Sequence, residues 1–167
     1  LDRSSAASDV YKRQANGYPI SCLVGNKGVM DVMSPGTLGG TYAGNAVACA
    51  AARATIETFQ NERILENVAE RSKQLFSGLE AIRQTSFGKV IEDIRGMGLM
   101  VGVQFASGPG EPIAQRLSKA CLERDMLIMS TSSFDVIRWI PPLTVSEQEL
   151  SDALDIFSDA LEEVVSK

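Results

Sequence analysis

The spacing of apolar residues changes twice along this chain, and these changes limit the folds it can adopt. Between Asn61 and Gln84, apolar residues recur every three, four or seven positions, which predicts an amphipathic helix. From Val90 to Phe105, short apolar runs are interrupted at the glycine-containing segment Asp93–Gly98, which predicts a short strand, a turn and a longer strand. A capping box at Ser146–Glu149 predicts the start of a last helix. Short strands between amphipathic helices predict an α+β unit with its helices on one face of the sheet.

The remaining apolar segments complete the order of helices and strands. The last third of the chain predicts a helix followed by two buried strands: Ile113–Arg124, Met126–Met129 and Val136–Ile140. The first third predicts a short strand, a short helix and an alanine-rich helix: Ile20–Gly25, Lys27–Met33 and Asn45–Phe59. The high alanine content of this last segment favours close packing against other backbone.

Composition argues against several classes of function. The 16 Lys and Arg residues against 21 Asp and Glu leave a net charge of −5, which is unlike a nucleic-acid-binding surface. No apolar run approaches the roughly 20 residues of a membrane-spanning helix. The chain has no histidine, so it cannot supply a Ser-His-Asp or Cys-His site or the commonest transition-metal ligand. We therefore expect no metal site, no nucleic-acid partner and no membrane partner.

The cysteines indicate a reducing environment. Cys22, Cys49 and Cys121 are far apart, odd in number and outside any CxxC pair. Since free cysteine packs as a small hydrophobic residue, we expect three buried thiols. This pattern is typical of the cytoplasm, or of the mitochondrial matrix if the source is eukaryotic.

A glycine-rich segment at Gly36–Gly44 is the first candidate site. It precedes a predicted helix, so its backbone N–H groups and the Thr41 hydroxyl could bind a phosphate. It matches neither a P-loop nor a GxGxxG fingerprint, and a plain structural loop is the alternative.

Two arginines in the predicted strands are further candidates. Arg138 interrupts an apolar strand, where it lies either on the solvated face of an edge strand or as a bidentate clamp for a carboxylate. Arg95 follows Asp93 and precedes Gly96, and for it we favour a structural role in which the pair holds a turn in place.

Four ordered motifs resemble those of the class III, or ω-amino-acid, aminotransferases. The motifs are NGYPIS at Asn16–Ser21, GGTYAGN at Gly39–Asn45, DIRGMGLM at Asp93–Met100 and VIRWIPPLT at Val136–Thr144. The resemblance extends over Ala15–Lys167 and is nearest to the 4-aminobutyrate aminotransferases, with ornithine and acetylornithine aminotransferases as near neighbours. One departure is Ala46, where many members have proline.

The resemblance implies an α/β fold, that of the fold type I pyridoxal-phosphate-dependent transferases. Residues 15–60 would form the C-terminal end of the large cofactor-binding domain, and residues 61–167 the small C-terminal α+β domain. Residues 1–14 differ in character from the rest and are predicted to be a non-native or disordered leader.

The resemblance also implies pyridoxal 5′-phosphate as cofactor and a homodimer as the assembly. Thr41 would hydrogen-bond the cofactor phosphate of the partner subunit, Gly39 and Gly40 would allow close approach, and Arg138 would bind the substrate carboxylate. Lys12 has the spacing of the lysine that forms the Schiff base with the cofactor. It is assigned by spacing only, because its neighbours depart from the family pattern.

The reaction implied is transfer of an amino group from an ω-amino acid, such as 4-aminobutyrate, to a 2-oxo acid. Alternatives within the family are an ornithine or acetylornithine aminotransferase, an aminomutase and a decarboxylase. An alternative of another class is a non-catalytic α+β interaction module. We expect the isolated chain to be inactive, because the family places further cofactor-binding residues before this region.

Overall fold

The computed structural model describes residues 17–18, 20, 25–34, 36–37, 39–41, 44–106, 108, 110–131 and 133–166. The chain divides into two compact units, Leu1–Arg63 and Ile64–Lys167. Lys12, Cys22, the predicted leader at 1–14 and most of the predicted strand Ile20–Gly25 lie outside the described residues.

Two helices, α1 (Lys27–Met30) and α2 (Ala46–Asn61), are described in the first unit. Each begins at an asparagine, Asn26 or Asn45, whose Oδ1 accepts a backbone N–H at 3.0 Å three residues further on. Within α2 only Ala48 is buried, so the close packing that we expected of this helix is not observed. Alanine raises helix propensity without requiring a packing partner, and alanine content therefore does not predict burial.

Three helices, four strands and a 3-10 turn form the second unit. In chain order they are α3 (Ile64–Arg83), the turn Phe87–Val90, β1 (Ile91–Met97), β2 (Met100–Phe105), α4 (Ile113–Leu122), β3 (Met129–Ser130), β4 (Val136–Trp139) and α5 (Glu147–Ser166). The strands form one sheet in the order β1-β2-β4-β3, and all neighbours are antiparallel.

The buried residues lie between the helices and one face of this sheet. The ring centroids of Trp139 on β4 and Phe157 on α5 are 5.2 Å apart, so sheet and helix meet through aromatic packing. On the opposite face Met97 and Met100 retain 84% and 67% of their accessible surface, whereas Val136 is buried. The predicted arrangement of helices on one face is thus present. The largest fully buried side chains are Phe105, Phe157, Leu75, Leu79, Leu117, Ile137, Leu150 and Leu161.

Two strand predictions were wrong in their limits. The predicted turn at Asp93–Gly98 begins too early, because β1 continues to Met97 and only Gly98, with φ +60°, and Leu99 form the turn. A Cβ atom at Gly96 would overlap the backbone of β2, so this glycine serves a close strand approach. The predicted strand at Met126–Met129 is reduced to Met129–Ser130, with Leu127 83% exposed, because a short apolar run does not by itself determine strand pairing.

The predicted capping box at the start of α5 is present. The Ser146 N–H donates to Glu149 Oε2 at 2.8 Å, and the Glu149 N–H donates to Ser146 Oγ at 3.2 Å. Hydrogen bonds from the Ser146 backbone N–H and then from its hydroxyl hold the pKa of Glu149 below its ordinary value.

This lowered pKa predicts a pH-dependent contribution to stability. A carboxyl group whose pKa is lowered in the folded state stabilises the fold above its unfolded pKa and ceases to do so as the pH falls through the folded pKa. We expect a higher urea midpoint for the unmodified chain than for Glu149→Gln at neutral pH, and a difference that shrinks as the pH falls below about 4.3, the ordinary pKa of a glutamate. Glu162→Gln, at the opposite end of α5, is the control, and a difference that persists unchanged at low pH would contradict the assignment.

Candidate active site

The glycine-rich segment of the first unit is open to solvent. Gly39, Gly40 and Thr41 are exposed, and a Cβ atom at either glycine would have no atom within 4 Å. The Thr41 hydroxyl makes no hydrogen bond to another described residue. Exposed backbone and an unpartnered hydroxyl fit the approach of a phosphate group.

The glycine-rich segment ends at the start of α2, where one helix N–H group is already hydrogen-bonded. Gly44, with φ +70°, forms the turn that leads into the helix, and Asn45 caps the first turn through the Ala48 N–H. The cap already uses this helix N–H group. Of the described part of the segment, Gly39–Thr41 is exposed and lies outside this cap.

Arg138 lies in the middle of the sheet of the second unit. It faces Gly102 on β2 and Met129 on β3, so β4 is an interior strand and not the edge strand that one alternative assumed. Its side chain is exposed, whereas Ile137 and Trp139 on either side are buried. Adjacent strand residues point to opposite faces, which places Arg138 on the face of the sheet away from the core.

The environment of Arg138 is mostly apolar. The residue lines a cavity of about 490 Å³ together with Met129, Ile140 and Pro141, and the same cavity is also lined by Thr144 and Glu149. Among the described residues no carboxylate forms an ion pair with Arg138 and no acceptor hydrogen-bonds it. A guanidinium whose donors are not used by the other described residues can bind a carboxylate through two parallel hydrogen bonds.

Arg95 lies on the same face but is already paired. Its Nη1 donates to Asp93 Oδ2 at 2.6 Å and to Gln104 Oε1 at 2.9 Å. The predicted pair with Asp93 is therefore present, although it lies within β1 and does not hold a turn. Both side chains are about half exposed, so the ion pair contributes little to stability.

Sequence reasoning missed two polar residues that hold the segments on either side of Arg138. Asp135 comes directly before β4, and its carboxylate accepts the N–H groups of Ile113 at 2.9 Å and Ala114 at 2.6 Å, at the start of α4. Asn67 on α3 donates from Nδ2 to the carbonyl groups of the loop after β4, at Leu143 and Val145. The only available signal was the missing cap of α4, whose N-cap residue is a proline.

The two cysteines that the structure describes differ in burial. Cys121 is buried, and burial raises the pKa of its thiol to about 11, with Arg124 opposing the shift. Cys49 is exposed, so the expectation of buried thiols is wrong at this position.

Within the described residues there is no cluster of three potential metal ligands, and no helix is long and apolar enough to cross a bilayer.

Comparison with known proteins identifies the family. The class III aminotransferase family model matches residues 7–161. Since this match covers most of the chain, the chain belongs to the class III aminotransferases, which are pyridoxal-phosphate-dependent, and its fold is that of the fold type I transferases.

Individual relatives carry several different names. The chain is 35% identical over 159 residues to a 5-aminovalerate aminotransferase of Pseudomonas aeruginosa, covering 92% of this chain and 37% of the relative. It is 31% identical to the 4-aminobutyrate aminotransferase of Escherichia coli, covering 91% of this chain and 37% of that protein. Its structure superposes on that of an acetylornithine aminotransferase from Elizabethkingia anophelis with TM-score 0.80 and 30% identity, over 90% of this chain and 39% of the other. The chain thus spans a little over a third of the length of these relatives.

Proposed function

We propose that this chain is the C-terminal part of an enzyme that transfers an amino group from an ω-amino acid of the 4-aminobutyrate type to a 2-oxo acid. The observation that carries this proposal is Arg138, a guanidinium with no partner among the described residues, in a mostly apolar cavity of about 490 Å³. Both substrates of such a reaction carry a carboxylate, and an arginine with free donors beside apolar side chains can orient one through two parallel hydrogen bonds.

The glycine-rich segment is the proposed site for the cofactor phosphate. Thr41 Oγ1 would donate a hydrogen bond to the phosphate, and the bare backbone at Gly39 and Gly40 would allow close approach. Pyridoxal phosphate, when bound, supplies the electron sink that amino transfer requires. We further propose a homodimer in which Thr41 serves the cofactor of the partner subunit, with Lys12 as the lysine that attaches the cofactor.

The division of the chain supports the proposed domain organisation. The break after Arg63 lies close to the proposed boundary between residues 15–60, as the end of the large domain, and residues 61–167, as the small domain. In this proposal the described residues would supply a segment for the cofactor phosphate and an arginine for the substrate carboxylate. Residues that would contact the cofactor ring are not among the groups that we identify, so we propose that the isolated chain is inactive.

A second amino donor class is favoured by relatives found in two of the comparisons. The acetylornithine aminotransferase from Elizabethkingia anophelis matches this chain over 90% of its length, so acetylornithine is the alternative substrate class. Acetylornithine, unlike 4-aminobutyrate, carries its carboxylate and acetamido group on the same carbon. A direct comparison of the two donors separates the possibilities.

The test is a donor screen with the full-length protein that contains this chain. We expect glutamate to form from 2-oxoglutarate with 4-aminobutyrate or 5-aminovalerate as donor, and more slowly with acetylornithine or ornithine. The matched control is the 167-residue chain alone, for which we expect no turnover. Faster transfer from acetylornithine would select the alternative donor class, and no transfer from any of the four donors would refute both proposed donor classes.

A further inference from the structure

Gly102 is a glycine in the interior of a central strand. It lies on β2, directly opposite Arg95 on β1 and directly opposite Arg138 on β4. A glycine at such a position weakens a strand, since it loses more backbone entropy on folding and contributes no side-chain packing. Its presence therefore needs a reason.

The fold itself does not require a glycine here. The φ angle of Gly102 lies outside the left-handed region, and a Cβ atom would meet Val136 Cγ1 at 3.6 Å and the Arg95 carbonyl oxygen at 3.8 Å, both ordinary contacts. The neighbouring glycines differ. A Cβ atom at Gly96 would overlap the backbone of β2, and Gly98 has φ +60°.

The face of the sheet on which Gly102 lies supplies the reason. Directly paired residues of antiparallel strands present their side chains on the same face, about 5 Å apart at Cβ. A side chain at residue 102 would therefore stand between the two arginines. Arg95 is held by Asp93 and Gln104, whereas the donors of Arg138 are free among the described residues. The space that a side chain at residue 102 would fill, called the vacant position below, therefore lies next to Arg138, whose guanidinium has no partner among the described residues.

We propose that Gly102 is a specificity-determining residue, whose missing side chain leaves room beside Arg138 for the carboxylate-bearing end of the substrate. This inference rests on the proposed function, because it assumes that Arg138 binds a carboxylate. The vacant position accepts an unbranched carboxylate chain lying across the exposed face of β2. A side chain at residue 102 would occupy that volume and push the carboxylate away from the guanidinium.

The test measures binding of glutarate, a dicarboxylate without an amino group, to the full-length protein by titration calorimetry. We expect Gly102→Ala to weaken glutarate binding about threefold and Gly102→Val about tenfold or more, because each enlarges the side chain beside Arg138. The melting temperature of Gly102→Ala is expected to be unchanged or raised, since alanine is the better strand residue. A purely structural glycine would give the reverse: a lower melting temperature and unchanged affinity.

The controls separate this proposal from the proposed function. Gly108→Val adds the same side chain at an exposed glycine with no atom within 4 Å of its Cβ position, and should leave glutarate affinity unchanged. Arg138→Lys should weaken glutarate binding, and if it does not, the proposed function fails at its central residue. If Arg138→Lys weakens binding while both Gly102 variants bind within about twofold of the unmodified protein, only the role of Gly102 is overturned.

Discussion

Replacing Arg138 by alanine is expected to raise KM for both the amino donor and the 2-oxo acceptor by about 100-fold, which corresponds to the loss of one bidentate charge-assisted contact. The value of kcat should change far less, because the carboxylate is bound equally in the ground state and the transition state. Steady-state kinetics of the full-length protein with each substrate varied in turn measures both quantities. Arg138→Lys should be intermediate, since lysine keeps the charge but cannot form two parallel hydrogen bonds.

Arg95→Ala is the matched control for this experiment. Arg95 faces the same side of the sheet, one strand beyond Gly102, but its Nη1 is already bonded to Asp93 and Gln104. We expect KM to change by less than about threefold, since an exposed ion pair contributes little. A KM for Arg138→Ala within the same range, or a larger effect from Arg95→Ala, would refute the assignment of the carboxylate to Arg138.

Replacing Asp135 by alanine is expected to lower the free energy of unfolding by about 2 kcal/mol, a value typical of a lost helix cap with charged hydrogen bonds. The Asp135 carboxylate accepts two N–H groups at the start of α4, where Pro112 provides no side-chain cap. The negative charge of the carboxylate also interacts favourably with the positive, N-terminal end of the helix dipole. Urea unfolding of the chain, followed by circular dichroism in the far ultraviolet, measures the loss.

Two further variants test whether the loss of stability is specific to the Asp135 carboxylate. Asp135→Asn keeps one oxygen acceptor but removes the charge, so its loss should be about half as large. Asp155→Ala removes an exposed carboxylate from the middle of α5 and should change stability by less than about 0.5 kcal/mol. Equal stability of the Asp135→Ala and Asp155→Ala variants would show that the two hydrogen bonds at 2.9 and 2.6 Å contribute nothing.

Local features of the second unit were predictable because their partners are close in sequence. The capping box joins Ser146 and Glu149, three residues apart, and its hydrogen bonds form wherever the helix begins. The amphipathic spacing that predicted a helix between Asn61 and Gln84 corresponds to α3 at Ile64–Arg83. Local errors arose where pairing with another strand decides the outcome, as in the extension of β1 to Met97.

Contacts between distant segments were not predictable in the same way. Asn67 reaches carbonyl groups 76 and 78 residues further along the chain, and Asp135 caps a helix that begins 22 residues earlier. Neither residue belongs to a recognisable motif, because the hydrogen bonds depend on how α3, α4 and the sheet pack. The exposure of Cys49 likewise follows from the packing of α2 and not from the apolar residues around it.

The sequence by itself determined the family resemblance, the helix starts, the strands in outline and the three candidate groups Thr41, Arg138 and Lys12. The tertiary structure decided that β4 is an interior strand, that Arg138 lies on the exposed face without a partner among the described residues, and that Gly102 is its neighbour. The reason is physical. Hydrogen bonds within a helical turn depend on neighbouring residues, whereas strand register sets which distant side chains share a face, and only packing of the whole sheet sets the register.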